Sequence, residues 1–145
     1  TYFSGTVKSS IGVGMLLAEG LGDTLRISLA GDPLEEVKVG LEILKSLKIR
    51  QTSPEIIACP LCGRCEVDLV PVVNEIEDSL RTMDKPISVA VMGCVVNGPG
   101  EAREADLGIA CGKGVGLIFK KGEIIRKVRE EEFAKAVIEE AKNLK

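Results

Sequence analysis

Residues 55–65 are EIIACPLCGRC, a short apolar strand (Glu55 to Ala58) that runs directly into a loop carrying three cysteines. Downstream, Leu69 to Arg81 has helical periodicity, with Pro71 in the first turn where a missing N–H does no harm. Ile87 to Met92 is then an unbroken apolar run of strand length, feeding GCVVNGPGEA. Strand, cysteine loop, helix and buried strand follow one another here, and the fold class expected for the chain is α/β (α+β). Three further strands are expected at Leu107 to Ala110, Val115 to Phe119 and Glu123 to Val128. Lys120-Lys121-Gly122 supplies the hairpin turn between the last two. A closing helix carries Phe133, Val137, Ala141 and Leu144 on one face. Its start is acidic (Glu130, Glu131, Glu132) and its end basic (Lys142, Lys145), as the helix dipole favours.

Upstream, Arg50-Gln51-Thr52-Ser53-Pro54 has the composition of a linker and divides the chain into residues 1–50 and 51–145. The first part predicts helix, strand, helix. Ser9 to Glu19 is a short apolar helix ended by Gly20 and Gly22. In TLRISL, Leu25, Ile27 and Leu29 alternate with Thr24, Arg26 and Ser28, as in a strand. Asp32-Pro33-Leu34-Glu35 is a helix start, and Leu34, Val37, Leu41 and Leu44 fall on one stripe, to about Lys48.

Composition narrows the chemistry. The chain has 145 residues, of which 45% are apolar and 28% charged, and its net charge is −3. That balance speaks against a nucleic-acid-binding domain, whose footprint is a strongly positive face. No run of about 18 apolar residues offers a membrane span. With no histidine, Ser-His and Cys-His catalysis and mixed Cys/His zinc sites are excluded within the chain. Five cysteines, an odd number with three inside residues 59–65, suit a metal or redox centre in a reducing compartment, the cytoplasm, better than a disulfide scaffold. The chain opens with Thr1 in place of Met, and a piece of a longer protein is expected.

Two motifs carry the chemistry. In Cys59-Pro60-Leu61-Cys62-Gly63-Arg64-Cys65, thiols at two-residue spacing at a strand-to-helix turn can chelate one metal or span one face of an iron–sulfur cluster. Spacing alone leaves zinc, a cluster and incidental thiols all open. Zinc would draw on Cys94 and Cys111, whose separation does not repeat the first knuckle. In the second motif, Gly93-Cys94 through Asn97-Gly98-Pro99-Gly100-Glu101, a cysteine at a strand end precedes a glycine-rich turn and a carboxylate. The glycines there let backbone N–H donors approach a bulky group. Cys59, Cys62, Cys94 and Glu101 together offer three thiolates and one harder, more exchangeable carboxylate. Such a set leaves one iron able to exchange Glu101 for a substrate oxygen.

ACPLCGR followed by MGCVVNGPGEA resembles the carboxy-terminal region of the 4-hydroxy-3-methylbut-2-enyl diphosphate synthase family, and the likeness runs through SGTVKSSIGVG and LLAEGLGDTLRISLAGDPLEEVKVGLEILKSLKIR. The resemblance implies that residues 1–50 are the end of a (β/α)8 barrel and residues 51–145 a sulfite-reductase-like [4Fe-4S] domain. It implies reductive ring opening and dehydration of a cyclic methylerythritol diphosphate, with electrons from ferredoxin or flavodoxin. It selects Cys59, Cys62 and Cys94 as thiolate ligands and Glu101 as the fourth, leaving Cys65 and Cys111 outside the set. Arg26 and Ser28 match diphosphate contacts, and Lys8, Ser9 and Ser10, ahead of a helix N-terminus, offer a second phosphate site. The family implies a homodimer in which one subunit's cluster domain caps the other's barrel; with only the tail of a barrel that needs ~200 or more residues, the piece alone is expected to be inactive. Two rivals remain: an electron-transfer module like the cluster half-domain of sulfite and nitrite reductases, which needs a fourth cysteine ligand, and a zinc-stabilised interaction module.

Overall fold

A computed structural model describes residues 1–94 and 98–144; of Gly98, Glu101 and Ala102 it describes the backbone only. The chain forms two compact units, Thr1–Thr52 and Ser53–Lys145.

In the first unit, helix α1 spans Tyr2–Ala18 and helix α2 spans Pro33–Ser46. Helix α1 begins seven residues earlier than its apolar periodicity suggests. Nothing between Tyr2 and Lys8 breaks it, and the Thr6 and Ser10 hydroxyls donate to the carbonyls four residues back, at Tyr2 and Thr6. Lys8, Ser9 and Ser10 therefore lie inside a helix whose N–H groups are already used, and the expected helix-start phosphate site does not exist there. Gly20, at φ 75°, closes the helix in the left-handed conformation that glycine adopts without strain.

Residues 24–29 form no strand, because no neighbouring strand lies within the unit to complete a ladder. Their alternation survives without one. Ile27 is buried, Leu25 and Leu29 half-buried, and Thr24, Arg26 and Ser28 exposed. The Leu29 N–H is held instead by the Glu36 carboxylate at 2.8 Å. As the sequence predicts, Asp32 caps α2, accepting from the Leu34 N–H at 2.9 Å ahead of Pro33. The predicted stripe is the wrong face, however. Val39, Gly40 and Ile43 are buried, while Leu34, Val37 and Leu41 are exposed and Leu44 half-buried. Gly40 decides this: a Cβ there would lie 3.1 Å from Leu25 Cδ1, so only that face of α2 can approach the extended segment closely.

The second unit is a five-stranded mixed sheet whose spatial order is its chain order: β1 (Glu55–Ala58), β2 (Ser88–Met92), β3 (Leu107–Gly112), β4 (Val115–Lys120) and β5 (Glu123–Arg129). The first three strands are parallel and the last two antiparallel. Between β4 and β5 the turn is the expected one, with Lys121 at φ 49° and Gly122 at φ 86°, both in the left-handed region that a two-residue hairpin requires.

Helix α3 (Leu69–Leu80) and helix α5 (Phe133–Asn143) cover one face. There Leu69, Ile76, Leu80, Phe133, Val137, Ala141 and Leu144 pack on Val89, Val91, Leu107 and Ile109. The expected face of α5 is thus the buried one; of its expected basic end, Lys145 lies outside the described residues. On the other face, Ala90, Met92, Ala110 and Phe119 meet Ala105, which follows helix α4 (Gly98–Glu104). Strand β2 is buried on both sides, and this explains its unbroken apolar run. Helix α4 corrects the expectation of a glycine-rich turn at Gly98-Pro99-Gly100-Glu101. Pro99 sits in the first turn, where its fixed φ favours a helix start and its missing N–H costs nothing.

Candidate metal centre

Because β1, β2 and β3 are parallel, their carboxyl ends lie at one edge of the sheet, and four of the five cysteines are found there or in the loop leaving it. Cys59 follows the last residue of β1 and its N–H donates to Val91 O at 3.0 Å, extending the β1–β2 ladder by one step. Its side chain is half-buried and packs against the core groups of both sheet faces. Cys94 lies two residues past β2 and is 5% exposed. Cys62 is exposed on the loop after β1.

The loop then turns sharply. Cys65 N–H donates to Cys62 O at 3.0 Å around Gly63-Arg64, and Cys65 Sγ donates to Val67 O at 3.2 Å. Glu66 N–H donates to Gly93 O at 3.2 Å, and Glu66 Oε2 accepts from the Lys113 N–H at 3.3 Å in the β3–β4 turn. Three segments are thereby fastened together beside the strand ends. Cys111, inside β3, is wholly buried. Burial above all, then the neighbouring Cys65 and Glu130, pushes its thiol up to about 12. Enclosed in this way, Cys111 packs within the sheet as a small apolar side chain.

The described residues place three members of the expected ligand set without bringing them together. Cys59 and Cys94 occupy adjacent strand ends and Cys62 the connecting loop, but among the described residues no three Cys, Asp or Glu groups lie close enough to hold a metal ion. Residues 95–97, including Asn97 of the second motif, and the Glu101 side chain lie outside the described residues. In the first unit, Arg26 and Ser28 are both exposed on the side of the extended segment opposite Ile27. Cysteine spacing did not reveal Glu66, whose N–H binds the cysteine loop to the Gly93 carbonyl at the strand end. The glycine directly before Cys94 was the available signal. No helix among the described residues is long and apolar enough to cross a membrane.

An α/β chain with cysteines at the ends of parallel strands and in the loop between them is the class that these units define. Comparison with known families matches residues 55–143 to the GcpE protein C-terminal domain and residues 1–41 to the GcpE TIM-barrel domain. The chain belongs to the GcpE family. It is 58% identical over 144 residues to a 4-hydroxy-3-methylbut-2-en-1-yl diphosphate synthase (flavodoxin) of Geobacter sulfurreducens, covering 99% of this chain and 41% of the relative. The enzyme of the same name from Clostridium acetobutylicum is 60% identical over 144 residues, with the same coverage of both chains. That from Fusobacterium nucleatum is 56% identical over 149 residues, covering 100% of this chain and 42% of the relative. The chain thus spans about two-fifths of the length of these curated relatives.

Proposed function

We propose that this chain is the iron–sulfur-carrying end of an enzyme that reductively opens and dehydrates 2-C-methyl-D-erythritol 2,4-cyclodiphosphate to 4-hydroxy-3-methylbut-2-enyl diphosphate, with flavodoxin as the electron donor. The observation that carries the reading is the placement of Cys59 and Cys94 just past the ends of adjacent parallel strands, in a chain whose relatives bear that synthase name. Residues 51–145 are then a sulfite-reductase-like [4Fe-4S] domain, and residues 1–50 the end of a (β/α)8 barrel. Cys59, Cys62 and Cys94 would hold the cluster as thiolates, and Glu101 would be its displaceable fourth ligand. When bound, the cluster supplies single electrons and one exchangeable coordination position.

The remaining work belongs to the chain's own groups. Enclosure of Cys94 keeps its sulfur from water. The fork of the Arg26 guanidinium is suited to two phosphate oxygens at once, with the Ser28 hydroxyl beside it on the same side of the segment. Holding the ring in register is worth about 7–11 kcal/mol of the barrier in reactions of this kind, and these two side chains alone cannot grip two phosphates. In this reading the enzyme works in the cytoplasm as a homodimer, each cluster domain capping the partner's barrel, and this chain alone is inactive.

The test is anaerobic reconstitution with iron and sulfide, followed by metal and sulfide analysis. Wild type is expected to carry a [4Fe-4S] cluster, Cys59→Ser, Cys62→Ser and Cys94→Ser to lose most of the iron, and Cys111→Ala to retain it. Stoichiometric zinc without sulfide, or iron content indifferent to Cys94, would overturn the assignment.

A further inference from the structure

Cys65 has no place in the proposed ligand set, yet its sulfur occupies a particular position. A Cβ built on Gly93 would lie 2.5 Å from Cys65 Sγ, 3.5 Å from Cys65 Cβ and 3.3 Å from Leu69 Cδ2. The first distance is shorter than real Cβ atoms tolerate; the other two are tight or ordinary. The Cys65 sulfur thus fills the space a Gly93 side chain would take. It is locked there from both directions: Sγ donates to Val67 O at 3.2 Å, and the next residue's N–H donates to Gly93 O at 3.2 Å. Cys65 is also tied back to Cys62 through the 3.0 Å turn bond. A short rigid path therefore runs from Cys62 through Cys65 and Gly93 to Cys94.

We propose that the Cys65–Gly93 contact is a positioning device that fixes the loop thiol Cys62 relative to the strand-end thiol Cys94. The inference rests on the cluster reading above. It assigns Cys65 a role beside the ligands and explains why the residue before Cys94 has no side chain. Outer-shell contacts of this kind commonly govern metal hold about tenfold or more. Truncating Cys65 removes the sulfur but not the space around it, so the loop loosens mildly. Adding a methyl at Gly93 drives the loop outward unless the sulfur is removed as well.

The experiment compares wild type, Gly93→Ala, Cys65→Ala and the double variant. The readouts are iron release to a chelator from the reconstituted chain and the thermal midpoint of the metal-free chain. Gly93→Ala is expected to release iron about tenfold faster than wild type. Cys65→Ala should take up iron and release it a few-fold faster, and the double variant should return to the Cys65→Ala rate. A double variant as fast as Gly93→Ala would show that the clash lies elsewhere. Failure of Cys65→Ala to take up iron would make Cys65 a ligand. A Gly93→Ala chain with a lowered midpoint but unchanged iron release would reduce the contact to ordinary packing. Each of these three results overturns the proposal. Should wild type itself take up no iron and sulfide, the failure is that of the cluster reading, visible before any variant is compared.

Discussion

Replacing Gly116 by alanine tests how helix α5 is seated on the sheet. Gly116 lies in β4 between Cys111 and Val128 of the flanking strands. A Cβ there would sit 2.7 Å from Phe133 Cε1, 3.2 Å from Phe133 Cδ1 and 3.2 Å from Ile109 Cδ1. Phe133 is 1% exposed and Ile109 0%, so neither can swing into solvent, and the ring must displace its own helix. Overpacking of this kind costs about 1–3 kcal/mol. The lower chain entropy of alanine in the unfolded state returns roughly 0.4–1 kcal/mol. A net loss of about 1–2 kcal/mol follows, and at ~4–8 °C per kcal/mol for a unit of this size the midpoint falls by roughly 4–16 °C. Calorimetry of the metal-free chain reads this directly. Adding Phe133→Leu removes the clashing ring carbon, so the two substitutions together should cost less than their sum by roughly 1 kcal/mol. A Gly116→Ala chain as stable as wild type, or strict additivity in the double variant, would refute the close fit of Phe133 over Gly116.

Asp106 joins the starts of β2 and β3: its Oδ2 accepts from Ser88 N–H at 2.8 Å and Ser88 Oγ at 2.9 Å, while its own N–H donates to that hydroxyl at 3.0 Å. Asp106→Ala should cost about 2 kcal/mol in urea unfolding, and adding Ser88→Ala should cost little more, since one network is lost only once. Cys111 gives a pH signature: its folded value of about 12 lies above the unfolded thiol near ~8.5. Its contribution is therefore intact below the unfolded value and is lost as pH climbs toward the folded one. Stability should fall by about 1.4 kcal/mol per pH unit across that window, and Cys111→Ala should flatten the slope.

Much of the second unit was legible because local chemistry and tertiary context agree there. Lys121-Gly122 specifies a tight hairpin whatever surrounds it, and the apolar face of α5 is unambiguous because charged residues fill the other face. The errors arose where surroundings decide. Leu25, Ile27 and Leu29 alternate as a strand does, but a strand also needs a ladder partner, which the pattern of one segment cannot provide. Helix α2 has two apolar stripes, and the choice between them rests on Gly40, whose meaning depends on what packs against it. At the candidate site, the thiols were visible from spacing, but the Cys65–Gly93 contact joins residues far apart in sequence. Glycine before a cysteine looks like a turn until the atom occupying its empty side-chain position is known.

Because the strands lie side by side in the order of synthesis, the sheet assembles at two speeds. β3, β4 and β5 are joined by two-residue turns, Lys113-Gly114 and Lys121-Gly122, and hairpins of this kind close within microseconds. β1 and β2 are parallel, so residues 59–87 must be threaded through loop and helix before their ladder can form, a slower non-local closure. The edge bearing Cys59 and Cys94 is thus expected to be the last completed. Its sulfurs are then expected to stay open to an incoming metal or an oxidant after the meander has set, and pulsed thiol labelling during refolding, modifying Cys59 and Cys62 longer than Cys111, checks this.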